Sequence, residues 1–297
     1  MRVLVVGGAG MLGHKVWQFG QSRFETWATV RAKSPALEAL GLGDPARTCV
    51  GVDVCRFDTV EAALDRARPD AVVNCIGVIK QLAGAKDPVQ SIAINALFPH
   101  QLAQACASRG AQLVHISTDC VFDGSRGNRQ QTEIPDAPDL YGRSKALGEV
   151  TGAGCLTMRT SIIGRELQGA AGLVEWFLSR RGSSADGYRN AVFSGFTTAE
   201  LARIIFWVLD HHTGLEGLYH VSAAPIDKLA LLELLNEAYA AQVDLRPRDE
   251  PRIDRSLDST AFSDATGYVP PMWADMVRAL AADPTPYEAV RAQLART

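Results

Sequence analysis

A tyrosine and a lysine stand four residues apart in Tyr141-Gly-Arg-Ser-Lys145. On a helix, positions i and i+4 share a face, so the phenol and the ammonium project side by side. An ammonium beside a phenol, together with a cationic ring, lowers the phenol's pKa from about 10 toward the working pH. A tyrosine so tuned can hand a proton to a carbonyl oxygen as hydride reaches the carbonyl carbon. The spacing alone is common by chance. It gains weight from Ile116-Ser-Thr-Asp119, which closes an apolar, strand-like run. Side chains at the carboxyl ends of strands face the ligand crevice of an open α/β sheet. The Thr118 hydroxyl could hydrogen-bond that same carbonyl oxygen, and Ser117 before it is expected against the cofactor.

A second group of residues could hold the hydride donor. Gly7-Gly-Ala-Gly-Met-Leu-Gly13 follows the first apolar run and opens a helical stretch. Such a turn aims backbone N–H groups and the positive end of a helix dipole at a pyrophosphate. Gly7 permits the turn, and Gly10, followed by Met11 and Leu12, lets the backbone approach phosphate. Gly13 lets the helix pack on the strand. No acid closes the second apolar run, 26–30; Arg31 stands there, with Lys33 close behind. A guanidinium suits a 2′-phosphate, so NADP(H) is expected in preference to NAD(H), unless Arg31 is only a solvated loop residue. Asp53, with Val54 after it, is placed either to contact adenine or to cap the next helix. Asn74, Cys75 and Gly77 close the fourth run at the same edge, as does Asn95 in a long helix. They either surround the cofactor or serve as caps and satisfied polar groups.

These side chains need a sheet to gather them. Apolar runs at 3–6, 26–30, 48–52, 71–76 and 112–117 alternate with helical patterns at 11–22, 35–40, 58–67 and about 89–109. A helix at about 140–152 and a strand at 155–160 extend the series. Alternation with near-continuously apolar strands predicts a parallel sheet covered on both faces. The expected fold is α/β: a Rossmann-type doubly wound parallel sheet. After residue 164 the texture changes, with glycines at 164, 169, 172, 182, 187 and 195. Helices are expected at about 171–180, 198–211 and 226–240, and a strand at 218–222 could rejoin the sheet. The division expected is an NAD(P)-binding domain over 1–164, rejoined by about 196–224, and a smaller C-terminal α/β cap over 165–195 and 225–297 that binds substrate.

Composition excludes other classes. The 297 residues are 47% hydrophobic and 21% charged, which suits a folded chain with a sizeable core. Thirty Lys+Arg against 33 Asp+Glu leave a net charge of −3, so no basic excess points to nucleic acid or an anionic membrane. No apolar run approaches the roughly 18 residues of a membrane span, and the apolar start meets its glycine turn too soon for a secretory signal. The six cysteines form no C-x-x-C pair and are expected as buried or free thiols in a reducing cytoplasm. No metal is expected, because the only paired histidines, His211-His212, lack a third ligand nearby.

The glycine turn, Ser117-Thr-Asp-Cys-Val-Phe-Asp-Gly124 and Tyr141-Gly-Arg-Ser-Lys-Ala-Leu-Gly-Glu149 together resemble the extended short-chain dehydrogenase/reductases. The branch they resemble is that of the dTDP-4-dehydrorhamnose reductases and related nucleotide-sugar 4-keto reductases, strongly over about 1–165 and more loosely to about 270. The resemblance implies a triad in which Tyr141 is the acid, Lys145 holds the nicotinamide ribose and tunes Tyr141, and Thr118 orients the carbonyl. It implies NADPH-dependent reduction of a nucleotide-activated 4-keto-6-deoxyhexose, for surface-polysaccharide sugars, and makes a homodimer plausible.

Related 4,6-dehydratases carry Glu after the Asp of the S/T-x-D stretch, where this chain has Cys120. The 4-epimerases usually carry small residues in place of Asp119. A net reductase fits best. Two departures fall where the hexose would lie: Cys120 replaces the usual Tyr, and Arg159-Thr-Ser is followed by Ile162-Ile-Gly164 instead of a Trp. They leave open another keto sugar on dTDP, UDP or GDP.

Further substrate candidates each have a plainer alternative. Lys80 faces substrate or solvent. Arg165 and Arg255 grip the diphosphate or make surface ion pairs. Trp176 is core or a sugar platform, and Asn190 opens a short strand and turn that could line the site. The rival functions are a 4-epimerase with bound NAD and a non-catalytic regulatory subunit resembling the methionine adenosyltransferase β subunit.

Overall fold

The computed structural model describes residues 1–33, 35–78 and 87–294. Lys80 lies outside the described residues. From the start of the chain run β1 (Arg2–Val6), α1 (Gly13–Gln21), β2 (Glu25–Val30), α2 (Pro35–Ala39), β3 (Thr48–Val50), α3 (Phe57–Ala67) and β4 (Ala71–Asn74). Then come α4 (Pro88–Ser91), a π-helical stretch (Ile92–Leu97), α5 (Phe98–Ala107), β5 (Gln112–Ile116), a 3-10 turn (Asp119–Val121), α6 (Leu140–Leu147) and β6 (Cys155–Arg159). The later part holds β7 (Ile162–Ile163), α7 (Leu173–Leu178), β8 (Ser184–Tyr188), β9 (Ala191–Phe193), β10 (Phe196–Thr197), α8 (Thr198–His211) and β11 (Gly217–His220). It ends with β12 (Ile226–Asp227), α9 (Lys228–Ala238), β13 (Asp244–Arg248), β14 (Ile253–Asp254), α10 (Thr260–Thr266), α11 (Trp273–Ala281) and α12 (Tyr287–Leu294).

Seven parallel strands build the central sheet in the order β11-β6-β5-β4-β1-β2-β3. The order reverses between β1 and β4, and ligands of such sheets bind at the carboxyl ends beside that reversal. Alternate residues of each strand serve opposite faces. Val3 and Val5 join the core under α1 and α8, whereas Leu4 and Val6 join the one under α3 and α5. That double burial explains why the strands read as unbroken apolar runs.

Two expected helices are interrupted. The helix expected over 89–109 is α4 and α5 joined by the π-helical stretch. The helix expected to reach 152 stops at Leu147, because Gly148 caps it against the π stretch. A Cβ on Gly148 would sit 1.9 Å from the Asn95 carbonyl oxygen. Smaller sheets, β12-β9-β14, β13-β8 and β10-β7, are built from the second half of the chain. The chain's end returns to α1: Lys15 ion-pairs with Asp283, and the Tyr287 hydroxyl lies 2.9 Å from His14 Nε2. His14 Nδ1–H donates to the Gly10 carbonyl (2.8 Å), and burial pushes its pKa down to about 4, so it stays neutral. Among the described residues, no helix is long and apolar enough to cross a membrane.

Candidate active site

Each glycine of the first turn has a distinct physical reason. Gly7 has φ +91°, a region L side chains rarely adopt. A Cβ on Gly13 would sit 2.0 Å from the Gly7 carbonyl oxygen, so α1 could not approach β1. A Cβ on Gly10 would meet only that same oxygen, at 3.4 Å; its free side opens into a cleft. The cleft, about 490 Å³, is lined by Gly7, Gly10, Met11, Arg31, Lys33, Cys75 and Gly77 among the expected residues. Thr29, Val52 and Glu166 also line it and were not singled out in the sequence. Arg31 and Lys33 are exposed at its outer end.

Other expected cofactor residues stand behind this wall. Leu12 and Val54 are buried in the two cores. The Asp53 carboxylate accepts the Cys55 N–H (3.0 Å), which forms a turn before α3 and does not cap it, since Arg56 holds the N-cap position. Asn74 accepts the Ile76 N–H through Oδ1 (3.1 Å) and donates to His115 Nδ1 (3.1 Å). Cys75 has its thiol pushed up to about 12 by burial, so it is no nucleophile. The carboxamide of Asn95 joins the Val78 N–H (2.9 Å) and C=O (3.2 Å) to the Ser144 hydroxyl (3.2 Å). It thereby ties the loop after β4 to α6.

At Gly77 the cleft approaches Lys145, one of the trio with Thr118 and Tyr141. A Cβ on Gly77 would lie 4.0 Å from Lys145 Nζ. Lys145 is buried and donates to the Ile116 carbonyl (2.7 Å). Thr118 caps the 3-10 turn by accepting the Cys120 N–H (3.1 Å), donates to Asp119 Oδ1 (3.1 Å), and is hydrogen-bonded to the Tyr141 phenol. Burial lowers the Lys145 pKa to about 8, with Glu149 opposing; the amine is still mostly charged at neutral pH. Burial, reinforced by Cys120, raises the Tyr141 phenol above its ordinary value, and the Thr118 hydrogen bond opposes it. The lowering expected from the spacing counts a cationic ring beside the phenol as well as the lysine. Desolvation of the phenolate is the largest cause, and the Lys145 hydrogen bond goes to a backbone carbonyl.

Behind the trio lies a buried ion pair missed in the sequence. Arg159 donates through Nε and Nη2 to the two carboxylate oxygens of Glu149, both at 2.7 Å. Ser117 donates to Glu149 Oε1 (2.7 Å), which fixes the residue before Thr118.

On the opposite side sit the expected substrate residues. Asp119 is buried; burial raises its pKa, and hydrogen bonds from Cys120 and Thr118 lower it. Arg255 donates to the Phe122 (3.2 Å) and Asp123 (3.1 Å) carbonyls, within electrostatic reach of Asp119. Arg165 is held by the carboxylates of Glu175 and Glu288 and lies over the Tyr287 ring. Trp176 packs partly buried against the main core, and Asn190 donates to the Asp249 carbonyl (2.8 Å). The last three therefore have intramolecular partners of their own.

The family described as RmlD substrate binding domain matches residues 1–283. This chain belongs to that family. It is 34% identical over 149 residues, 50% of this chain and 43% of the relative, to a dTDP-4-dehydrorhamnose reductase of Streptomyces griseus. It is 31% identical over 231 residues, 75% of this chain and 72% of the relative, to a probable dTDP-4,6-dihydroxy-2-methyloxan-3-one 4-ketoreductase of Streptomyces antibioticus. The match to the Streptomyces griseus protein spans less than half of that protein's length. Among solved structures, the dTDP-4-dehydrorhamnose reductase of Bacillus anthracis in complex with NADP has the same fold. The TM-score is 0.77 at 20% identity, covering 95% of this chain and 99% of that one.

In this RmlD-family chain the glycine after Tyr141 has a steric cause. A Cβ on Gly142 would sit 2.2 Å from the Cys120 carbonyl oxygen and 2.3 Å from Ala137 Cβ. Gly142 therefore lets α6 close on the turn that carries Asp119 and Cys120. Gly142→Ala is expected to lower unfolding free energy by about 1–3 kcal/mol, the usual range for overpacking. Urea unfolding measures it; an unchanged midpoint would mean that the helix and turn separate freely.

Proposed function

We propose that the protein is an NADPH-dependent reductase of a nucleotide-activated 4-keto-6-deoxyhexose, serving surface-polysaccharide sugar synthesis. The assignment rests on the Tyr141 phenol, hydrogen-bonded to Thr118 where a cleft floored by the glycine turn reaches buried Lys145. The names of the two Streptomyces relatives, both keto reductases, support the substrate class.

Bound NADPH would supply the hydride. Gly10 and its neighbours would take the pyrophosphate, Arg31 and Lys33 the 2′-phosphate, and Lys145 the nicotinamide ribose. Thr118 would hold the keto oxygen, and the Tyr141 phenol would give it a proton as the new C–H bond forms. One hydride and one proton turn the ketone into a secondary alcohol, and the tyrosinate regains its proton from water. Burial favours the protonated phenol, the form a donor needs. Asp119 and Cys120 would line the sugar, with the cap over 165–195 and 225–297 choosing it. The apolar residues Val89, Ile92, Leu97 and Leu147, exposed on neighbouring helices, support a homodimer.

The deciding experiment follows NADPH absorbance against a panel of 4-keto sugar nucleotides on dTDP, UDP and GDP. Consumption with at least one supports the assignment. Tightly bound NAD with no net NADPH consumption would instead mark a 4-epimerase. No turnover with any of the panel, and a protein partner on pull-down, would mark a regulatory subunit.

Cofactor choice has its own test. Arg31→Ala is expected to lower kcat/KM for NADPH roughly tenfold, the lower end for a charge-assisted hydrogen bond, while leaving NADH unchanged. Equal losses with both cofactors, or better use of NADH by the wild type, would remove Arg31 from the 2′-phosphate.

A further inference from the structure

Lys228 was not singled out by any sequence motif. It is the first residue of α9, where the helix dipole disfavours a cation. Its ammonium lies 3.7 Å from the centre of the Phe193 ring. The side chain is half-buried, and among the described residues it has neither a hydrogen-bond acceptor nor a carboxylate within ion-pair distance.

The three-stranded sheet β12-β9-β14 explains how it gets there. Phe193 of β9 pairs with Ile226 of β12, so Lys228 emerges two residues beyond that pair. Arg255 follows β14 and donates its N–H to the Val192 carbonyl (3.0 Å). Phe193, Lys228 and Arg255 thus leave the same small sheet. That sheet is tied to the loop after the trio: the Asp254 N–H donates to the Gly124 carbonyl (2.8 Å), and a Cβ on Gly124 would meet Ile253 at 2.7 Å.

The charge of Lys228 points back at the reacting region. Burial lowers its pKa to about 8, whereas Asp119 and then Cys120 raise it, and Arg255 lowers it. Cys120 and Asp119 are also the residues whose charges act on the Tyr141 phenol. Lys228, from the cap, and Tyr141, from α6, are therefore both within electrostatic reach of the same short turn. Arg255 has its guanidinium engaged by two backbone carbonyls; Lys228 does not. The Lys228 Nζ is not among the enclosed polar atoms, so water can reach it, and a ligand oxygen could replace that water. An acceptor brought by a ligand would satisfy it.

We propose that Lys228 is a specificity-determining residue that contacts the substrate, donating a charge-assisted hydrogen bond from the cap to an oxygen acceptor on the sugar. The proposal rests on the function assigned above. It makes the cap select hexoses that present a hydroxyl or acyl oxygen on that side of the ring, and it assigns Lys228 to the sugar and not to the diphosphate.

Calorimetric titration of the full chain with NADP present tests it, with dTDP-glucose against dTDP and UDP-N-acetylglucosamine against UDP as probes. Lys228→Met keeps the side chain's length and its contact with the ring but loses the charge. It is expected to weaken binding of a sugar nucleotide roughly ten- to a hundredfold, and of the bare nucleoside diphosphate by less than about twofold. Lys228→Arg should recover most of the loss, and the thermal midpoint of Lys228→Met should not fall. Equal weakening of diphosphate and sugar nucleotide would assign the ammonium to phosphate and overturn the proposal. So would an unchanged sugar-nucleotide affinity in Lys228→Met. A wild type that binds NADP but none of the four probes would remove the functional assignment and this inference with it. A wild type that binds them as well as its Met variant removes the inference alone.

Discussion

Tyr141→Phe is expected to lower kcat roughly 10²- to 10⁴-fold, the range for losing a positioned general acid, with NADPH affinity kept. The substitution removes one oxygen and leaves the ring, so α6 keeps its packing on the 3-10 turn. What disappears is the proton for the keto oxygen. The Thr118 hydroxyl, whose one proton goes to Asp119 at 3.1 Å, must turn to hold that oxygen and is too weak an acid to protonate it. Lys145 cannot replace the phenol without leaving the Ile116 carbonyl, 2.7 Å from its Nζ. The check is a single-turnover measurement with saturating NADPH, alongside cofactor titration and a thermal melt. Near-normal turnover would remove Tyr141 as the acid. A collapse of cofactor affinity together with rate would show that the phenol holds the nucleotide instead. Thr118→Val gives a contrast, because it spares the donor and removes the group that orients the carbonyl.

The parts of this arrangement that were legible in the sequence are those fixed by local backbone constraints. Gly7 and Gly13 announce themselves because the turn demands a positive φ at one and a 2.0 Å vacancy at the other. Tyr141 and Lys145 are visible because one helical turn separates them. The sheet is visible because both its faces are buried, so its strands carry unbroken apolar runs. Legibility fails where tertiary contacts set the outcome. The π-helical stretch keeps an ordinary helical pattern, and only the approach of Asn95 to Gly148 gives it a purpose. The end of α6 was misplaced because what stops it, the approach of Gly148 to the Asn95 carbonyl, joins residues far apart in the chain. Arg165 offered itself as a free cation because Glu288, 123 residues on, could not be foreseen beside it. Lys228 was overlooked because strands of two or three residues assemble its surroundings, too short to leave a pattern. The burial of Tyr141 was hidden for a related reason: sequence spacing gives the nearest charge, whereas burial is a property of the whole fold.

Glu149→Ala should cost much stability, because it strands a guanidinium that is almost wholly buried. Arg159 and Glu149 have side chains only 5% and 8% exposed, and their pairing is bidentate. The remaining neighbours of Arg159 cannot take over the charge. His220 accepts from Arg159 Nη1 through Nε2 (3.2 Å), because its Nδ1–H is donated to the Arg129 carbonyl (3.0 Å). Burial, followed by the charge of Arg159, pushes the His220 pKa down to about 4, so the ring stays neutral. The Phe122 ring, 5.3 Å from the guanidinium, offers only its face. Removing one member of a buried pair typically costs about 3–5 kcal/mol, because the other charge is left uncompensated. At roughly 2–4 °C per kcal/mol for chains near this size, the melting midpoint should fall by about 10 °C. Ser117 loses its acceptor in the same step, which loosens the residue next to Thr118, so the surviving folded enzyme should also turn over more slowly. Glu149→Leu combined with Arg159→Met separates these effects. Two apolar side chains leave no stranded charge, so the pair should recover most of the stability lost in Glu149→Ala, while the rate stays low for want of the Ser117 acceptor. A double variant as unstable as the single one would mean that the ion pair itself, and not the cost of a lone buried cation, holds the site together.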